Sequence, residues 1–369
     1  MARASIGLWA LVAFVLGALT WSPVRRWTAA VEILSALSVP ASEESGNGGA
    51  LTTDVVVPAG SEGVRARLYE PRGAVHRCVV LGHGVHNLGI DEPRLMRFAR
   101  VLSGVGVEVL TPELADLADY RITRAGADVL GAASRYLAAR CPRHNGVGLV
   151  GFSFAGGLSL LAAADPRNRG TLAYVASVGG YHDLERVLRF LVTGNVEAPG
   201  GVVHRSPNEY GLVVLLYVYL DHFVPKTDLA VARRAVRAWL EEDRPRAWVE
   251  ASRSTTRETE QLFLRLASGR IAEISDEIAA VVENHTVELD SLSPAGRLAR
   301  IRVPVYLLHG SDDSLIPPEE TLWADRELGS RPHLAVVTPL IEHVELRGKP
   351  RLRDVRVEWA LVDLMAHLL

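Results

Sequence analysis

Residues 147–157 read Val147-Gly148-Leu149-Val150-Gly151-Phe152-Ser153-Phe154-Ala155-Gly156-Gly157. A short apolar run leads into Gly151, Ser153 follows, and small residues then open an Ala/Leu-rich stretch from Leu158 to Ala164. The pattern predicts a strand, a sharp turn and a helix, with a hydroxyl at the tip of the turn. A serine held there projects its oxygen from the sheet edge, beside backbone N–H groups and a helix N-terminus that stabilise an oxyanion. Gly151 and Ala155, two positions either side of Ser153, must be small because the turn brings their Cα atoms together. The common pattern has Gly where this chain has Ala155. A plain strand-to-helix junction, whose serine only caps the helix, is the bland alternative. Partner residues elsewhere in the chain decide between the two.

The chain has 369 residues, 48% of them hydrophobic, enough for a full core and a second small unit. A net charge of −3 with no basic run speaks against a nucleic-acid partner. Cys78 and Cys141 do not make a zinc site, no paired Cys/His spacing appears, and no phosphate-cradling Gly-rich loop precedes a lysine. Neither a metal nor another cofactor is expected.

From Ala4 to Val24 there are 21 residues without a charge. As a helix this stretch would be roughly 30 Å long, the thickness of a bilayer core. Trp9, Trp21 and Trp27 lie near its ends, with Arg3 before it and Arg25 and Arg26 after. Residues 1–27 therefore read as an uncleaved membrane anchor with interfacial residues at its ends. A cleaved secretion signal is the rival, although no small-x-small site closely follows the apolar stretch. Residues 28–50 read as a linker, polar and Gly-rich over 41–50.

Beyond it, strand and helix alternate. Val55–Val57 and Val64–Tyr69 predict an opening antiparallel hairpin, and Cys78–Leu81 a buried strand. A helix from Pro93 to Leu102, a strand from Val107 to Leu110, a long helix ending at Arg140 and a strand from Leu172 to Val178 follow. The alternation then stops, and residues 181–300 are helical in pattern. Strands resume at Val303–Leu308 and Leu334–Val337, and a last amphipathic helix starts near Val355. This is an α/β chain with a mostly parallel sheet covered by helices on both faces. The inserted helical block, at the carboxyl ends of the strands, would cap a ligand crevice. Within it, Tyr210–Leu220 is too short to span a membrane; it reads as a buried cap helix, or as an apolar wall for an acyl substrate or for the bilayer.

On these residues the chain resembles the α/β-hydrolase superfamily, in its serine esterase- and lipase-like branch with a helical cap. The resemblance covers residues 51–180 and 301–369. It implies a nucleophile, an acid and a histidine in that chain order. His309-Gly310-Ser311-Asp312-Asp313-Ser314-Leu315-Ile316-Pro317 is similar to the family's acid segment and places the acid at Asp313, with Asp312 as the neighbouring alternative. Leu340-Ile341-Glu342-His343-Val344 supplies His343 after the last strand. Some members place the acid one strand earlier, where this chain has Asp183. Leu81-Gly82-His83-Gly84-Val85-His86-Asn87 resembles the family's His-Gly loop, which makes the N–H groups of Val85 and Phe154 the implied oxyanion hole. His86 and Asn87 become candidates for touching substrate, or merely shape the loop. His83 and His309 occupy positions where the family uses histidine structurally.

The resemblance thus implies a serine hydrolase cleaving a carboxylic ester or other acyl bond of a small molecule, with Ser153, His343 and Asp313 as its triad. A serine nucleophile excludes the Asp- and Cys-type members of the fold. An acyltransferase and a non-catalytic binding protein remain as alternatives, because fold alone never proves activity. In the family's strand order the strands that carry or follow Cys78 and Cys141 are neighbours, so the two cysteines are either buried free thiols or a disulfide.

Overall fold

The computed structural model describes residues 22–37, 50–60, 63–141, 146–342, 345–346, 361–363 and 365–367. The described chain opens with α1 (Ser22–Leu37), followed by the antiparallel pair β1 (Leu51–Val57) and β2 (Val64–Glu70). In β2, Ala66 and Leu68 turn inward while Arg65 and Arg67 turn outward to Asp54 and Asp91. Then β3 (Arg77–Gly82), α2 (Pro93–Gly104), β4 (Val107–Pro112), α3 (Arg124–Arg140), β5 (Val147–Phe152), α4 (Phe154–Ala164) and β6 (Leu172–Val178) alternate.

Between β6 and the next sheet strand lie α5 (Leu184–Thr193), β7 (Asn195–Ala198), β8 (Gly201–His204) and α6 (Glu209–Val218). The same segment continues through α7 (Leu229–Leu240), α8 (Arg244–Ala251), α9 (Arg257–Ala267), α10 (Ser275–Glu283) and α11 (Thr286–Leu292). The sheet resumes with β9 (Val305–Gly310), and α12 (Glu319–Leu328) leads to β10 (His333–Thr338). A short hairpin of β11 (Ile341–Glu342) and β12 (Glu345–Leu346) follows. Residues 361–363 and 365–367 are helical.

The large sheet runs β1-β2-β4-β3-β5-β6-β9-β10, with β2 antiparallel to both neighbours and the pairs from β4 to β10 parallel. One apolar layer joins α1, α2 and residues 361–366 to one face; the other joins α3, α4 and the capping segment to the opposite face. The chain leaves β3 towards β4 and returns to β5 on the far side of β3. That reversal opens a crevice at the carboxyl ends of β3 and β5, where open α/β sheets bind ligands. Gly82 of β3 and Gly151 of β5 are in register there, so the His83 loop and Ser153 emerge side by side.

Two expectations need correction. Residues 28–37, read as linker, are helical: Ala30 and Ile33 of α1 are fully buried in the layer that α2 also builds. Their three-residue spacing is the signal of a docked helix face. The segment read as helical throughout also contains the β7–β8 hairpin, turned at Pro199-Gly200. The apolar stretch of residues 4–24 lies, up to residue 21, outside the described residues. Among the described residues no helix is long and apolar enough to cross a membrane.

Cys78 and Cys141 are joined by a disulfide, with Cα atoms 6.6 Å apart and 63 residues of separation. Closing so long a loop restricts the unfolded chain and is worth about 4 kcal/mol in the chain-entropy picture. Reduction should therefore lower the thermal midpoint by several degrees at unchanged fold. Thermal unfolding with and without dithiothreitol checks this; identical midpoints for fully reduced and oxidised protein would remove the bridge from the account.

Candidate active site

Ser153 sits at φ 53°, ψ −131°, a backbone conformation that costs a non-glycine residue of order 1–3 kcal/mol. Its surroundings impose it. The Ser153 N–H donates to the Val178 carbonyl at 2.8 Å, and the Gly156 N–H donates back to the Ser153 carbonyl at 2.7 Å. A Cβ at Gly151 would collide with the Ala155 carbonyl and the Ser159 hydroxyl, which is why this position is glycine. Ala155 is wholly buried under the turn. The expected strand, turn and helix are all present.

The β3 loop meets the elbow directly. A Cβ at Gly84 would lie 3.1 Å from the Ser153 Cβ and 3.7 Å from its Oγ. Phe154 is the first residue of α4, where a helix leaves the N–H without a partner. The N–H of Val85 meets no acceptor among the described residues. Both groups placed in the oxyanion hole are thus unspent donors on segments that touch Ser153. His86 is half-buried and its Nδ1 accepts the Leu88 N–H at 3.2 Å; burial lowers its pKa. Asn87 is half-buried on the same loop.

His83 holds that loop in place. Its Nε2 accepts the Leu114 N–H at 2.9 Å, so Nδ1 carries the proton and donates to the Gly84 carbonyl at 2.8 Å. Burial pushes the imidazole down to about 4. Glu113 stands 3.6 Å from Nε2, but that nitrogen is already an acceptor, and burial raises the carboxyl's own pKa. An unfolded histidine binds its proton near pH 6.5 while the folded one resists until about pH 4, so stability falls as pH drops through that window. The loss amounts to about 3 kcal/mol. His83→Gln should flatten the decline in unfolding free energy between pH 7 and 4.5; parallel curves for the two proteins would contradict this.

Asp313 follows β9 on a tight loop and is buried, whereas Asp312 is exposed. Its Oδ1 accepts the N–H groups of Leu315 (2.9 Å) and Ile316 (3.0 Å). His309, fully buried, braces the loop. Its Nε2–H donates to the Ile316 carbonyl at 2.9 Å, 3.4 Å from Asp313 Oδ2, while Nδ1 accepts the Thr321 hydroxyl at 2.9 Å. His343 falls between β11 and β12 and lies outside the described residues. Asp183 stands at the start of α5 and caps it, with Oδ1 accepting the Arg186 N–H at 3.1 Å.

The residues that seat the cap were not found from the sequence. Glu320, fully buried on α12, accepts the N–H groups of His182 (2.9 Å) and Asp183 (2.7 Å) and the Arg186 Nε–H (2.6 Å). Glu327 accepts the N–H groups of Gly296 (2.9 Å) and Leu298 (3.0 Å), and His182 Nε2–H at 2.6 Å. One helix thus grips both the entry and the exit of the capping segment. The only local signal is two glutamates seven residues apart, on one helix face. A third tie joins the cap to the loop that carries Asp313, where the Asn208 N–H donates to the Ser314 carbonyl at 2.8 Å.

Under the cap lies a cleft with a cavity volume of about 60 Å³. Val85, Phe154 and Leu315 form its floor, each adjoining a loop of the candidate site, and residues of α5, α6 and α11 form its walls. Among the described residues no group of three or more His, Cys, Asp or Glu is placed to hold a metal ion.

No protein-family model and no curated protein sequence matches the chain. Among solved structures it is similar to a puromycin-hydrolysing peptidase of Mycobacterium tuberculosis, at 14% identity and a TM-score of 0.48, over 88% of this chain and 39% of that one. It is also similar to the rice cell-wall-degrading esterase LipA of Xanthomonas oryzae, at 14% identity and a TM-score of 0.49, over 91% and 92% of the two chains. A third is the hyperthermophilic esterase of Pyrobaculum calidifontis, at 16% identity and a TM-score of 0.44, over 93% and 90%. The chain spans about 40% of the length of the peptidase structures it matches. By its strand order, its antiparallel β2 and its serine elbow after β5, the chain has the α/β-hydrolase fold.

Proposed function

We propose that the protein is a serine hydrolase that cleaves a carboxylic ester, or another acyl bond, through an acyl-enzyme. The single observation that carries this reading is Ser153, held at a strained φ on the tip of the elbow with unspent N–H donors beside it. Ser153 Oγ attacks the acyl carbonyl as His343 takes its proton. Asp313, aligned by two backbone N–H groups, orients the imidazole and stabilises the imidazolium. The N–H groups of Val85 and Phe154 receive the developing oxyanion, and His343 returns the proton to the leaving alcohol. Water then repeats the sequence on the acyl-enzyme.

The apolar stretch of residues 4–24 supports a membrane tether as part of this proposal, and the Cys78–Cys141 bridge supports an oxidising compartment. Stopped-flow hydrolysis of a p-nitrophenyl ester tests the chemistry. The expected trace is a burst of nitrophenol equal to the enzyme concentration, followed by a slower steady state. No burst and no turnover across a panel of esters would overturn the proposal.

A further inference from the structure

Three residues other than glycine, among those described, adopt a positive φ: Tyr120 at 60°, Ser153 at 53° and Glu242 at 61°. Ser153 is the candidate nucleophile; the other two each follow a helix end. The Tyr120 N–H donates to the Leu117 carbonyl at 3.1 Å and the Arg121 N–H to the Asp116 carbonyl at 2.7 Å, closing the one-turn helix Ala115–Ala118. After α7, the Glu242 N–H donates to the Trp239 carbonyl at 3.1 Å and the Asp243 N–H to the Ala238 carbonyl at 2.9 Å. Glycine usually takes the left-handed position of such a turn, because a Cβ is strained there. Tyr120 offsets the strain by packing: it is buried, lines the cleft and meets the Tyr217 ring edge-on at 5.8 Å. Glu242 is exposed, and its side chain has no hydrogen bond or ion pair among the described residues. Strain kept without a structural return marks a functional position.

We infer that Glu242 is the anionic member of a cation subsite at the solvent edge of the cleft, and that the substrate is an ester whose alcohol carries a protonated amine. This rests on the serine-hydrolase reading above and adds to it the charge of the leaving group. Asp119, next to Tyr120, accepts the Tyr217 hydroxyl of α6 at 2.9 Å and the Arg237 guanidinium of α7. The last turn of α7, and Glu242 after it, is thereby fastened beside the Tyr120 turn. Tyr210, another residue of the cleft wall, is pushed up to about 12 by burial and then by the Glu242 charge. His86, one residue past Val85, is lowered by burial, with Glu92 and Glu242 opposing and Arg94 assisting. The neighbouring cations are engaged elsewhere. Arg237 and Arg246 hold Glu241 at 2.9 and 3.1 Å, Arg94 holds Glu92 at 2.6 Å, and Arg244 stacks 3.7 Å over the Trp239 ring. His86 stays neutral at pH 7, so the Glu242 carboxylate is left unneutralised. The Tyr120 and Tyr210 hydroxyls, without partners among the described residues, can accept the N–H groups of an ammonium. The leaving alcohol must depart toward solvent while the acyl group stays on Ser153, so the half of the ester beside Glu242 is the alcohol.

The test compares 2-(dimethylamino)ethyl butyrate, protonated at pH 7, with its neutral isostere 3-methylbutyl butyrate, by acid release in the full-length protein. A small fluorophosphonate counts competent sites in every variant. In the wild type kcat/KM should favour the cation about fivefold, the upper end for a partly exposed ion pair. The preference should shrink as ionic strength rises from about 0.05 M to about 0.5 M, through screening. Glu242→Gln and Glu242→Gly should each bring the ratio to about one, whereas Glu258→Gln, an exposed glutamate of α9, should keep it. Glu242→Gly should also raise the denaturant midpoint, because glycine relieves the turn. Equal rates for the two esters in the wild type would overturn the inference, as would a preference that survives Glu242→Gln. A lowered midpoint in Glu242→Gly would give the side chain a structural role and overturn it too, as would a protein labelled on Ser153 that hydrolyses neither ester. A protein whose Ser153 takes no probe sinks the underlying serine-hydrolase reading instead, and the labelling tells the two failures apart.

Discussion

Ser153→Ala should lower kcat for ester hydrolysis by about 10⁶-fold, on the scale of nucleophile removal in other triad enzymes. The loss is chemical, because the fold keeps the elbow for its own reasons. Alanine meets the same strained φ as serine, and the two backbone hydrogen bonds that impose it, to Val178 and from Gly156, involve no side-chain atom. The variant should accordingly unfold within about 1 kcal/mol of wild type, in the range of a benign substitution. His343→Ala should cost nearly as much activity, and the double variant barely more than either single one, because triad members act as a unit. Steady-state rates of the three variants, with their denaturant midpoints, check this. Near wild-type hydrolysis by folded Ser153→Ala would place the nucleophile elsewhere.

Asp313→Asn should reduce kcat by about 10⁴-fold, the size of the wrong-tautomer effect. Asparagine keeps the Oδ1 acceptor, so the N–H groups of Leu315 and Ile316 stay satisfied and the loop stays in place. What changes is the second atom, from an acceptor to an amide donor, which can no longer receive the proton on an imidazole nitrogen. The comparison variants separate chemistry from structure. Asp183→Asn should be nearly silent, since asparagine also caps a helix and the carboxylate serves to cap α5. Asp312→Asn should cost far less than Asp313→Asn, because Asp312 is exposed and Asp313 is buried. Activities measured on the three variants decide: a large loss at Asp183 with none at Asp313 would move the acid to the earlier strand and leave Ser153 in place.

Much of the fold is legible in the sequence because its signals are local. Gly151, Ser153 and Ala155 fix the elbow within five residues, and the strands on either side are short apolar runs bounded by turn residues. The loop after β9 is readable for the same reason: Ser311-Asp312-Asp313-Ser314 is turn chemistry directly after a strand, and Asp313 is its buried carboxylate. The cap is legible only as a region. Its placement depends on Glu320 and Glu327, buried and half-buried carboxylates whose partners lie 134 and 145 residues away in the chain, at Arg186 and His182. No periodicity records such pairs. The β7–β8 hairpin escapes a reading by pattern because four-residue strands fall below the length at which alternation separates from a helical repeat. The helix α1 is masked by the neighbouring apolar stretch, although Ala30 and Ile33 carry its docking face. The Cys78–Cys141 bridge needs the order of the strands, which only the resemblance supplies.

The cleft shows the same division between local and distant signals. Tyr210–Leu220 stands out as apolar, but its meaning turns on the Asn208–Ser314 hydrogen bond that brings one end of α6 to the loop carrying Asp313. Hydropathy marks a wall; a contact across the fold says which end of it meets the candidate site.

The central claim, that Ser153 is an activated nucleophile, is tested most directly by reacting the native protein with a fluorophosphonate and locating the adduct by peptide mass spectrometry. One equivalent should bind, on the peptide carrying Ser153, and heat-unfolded protein should take none. Failure of the native, folded protein to react, or an adduct on a different serine, would contradict the account.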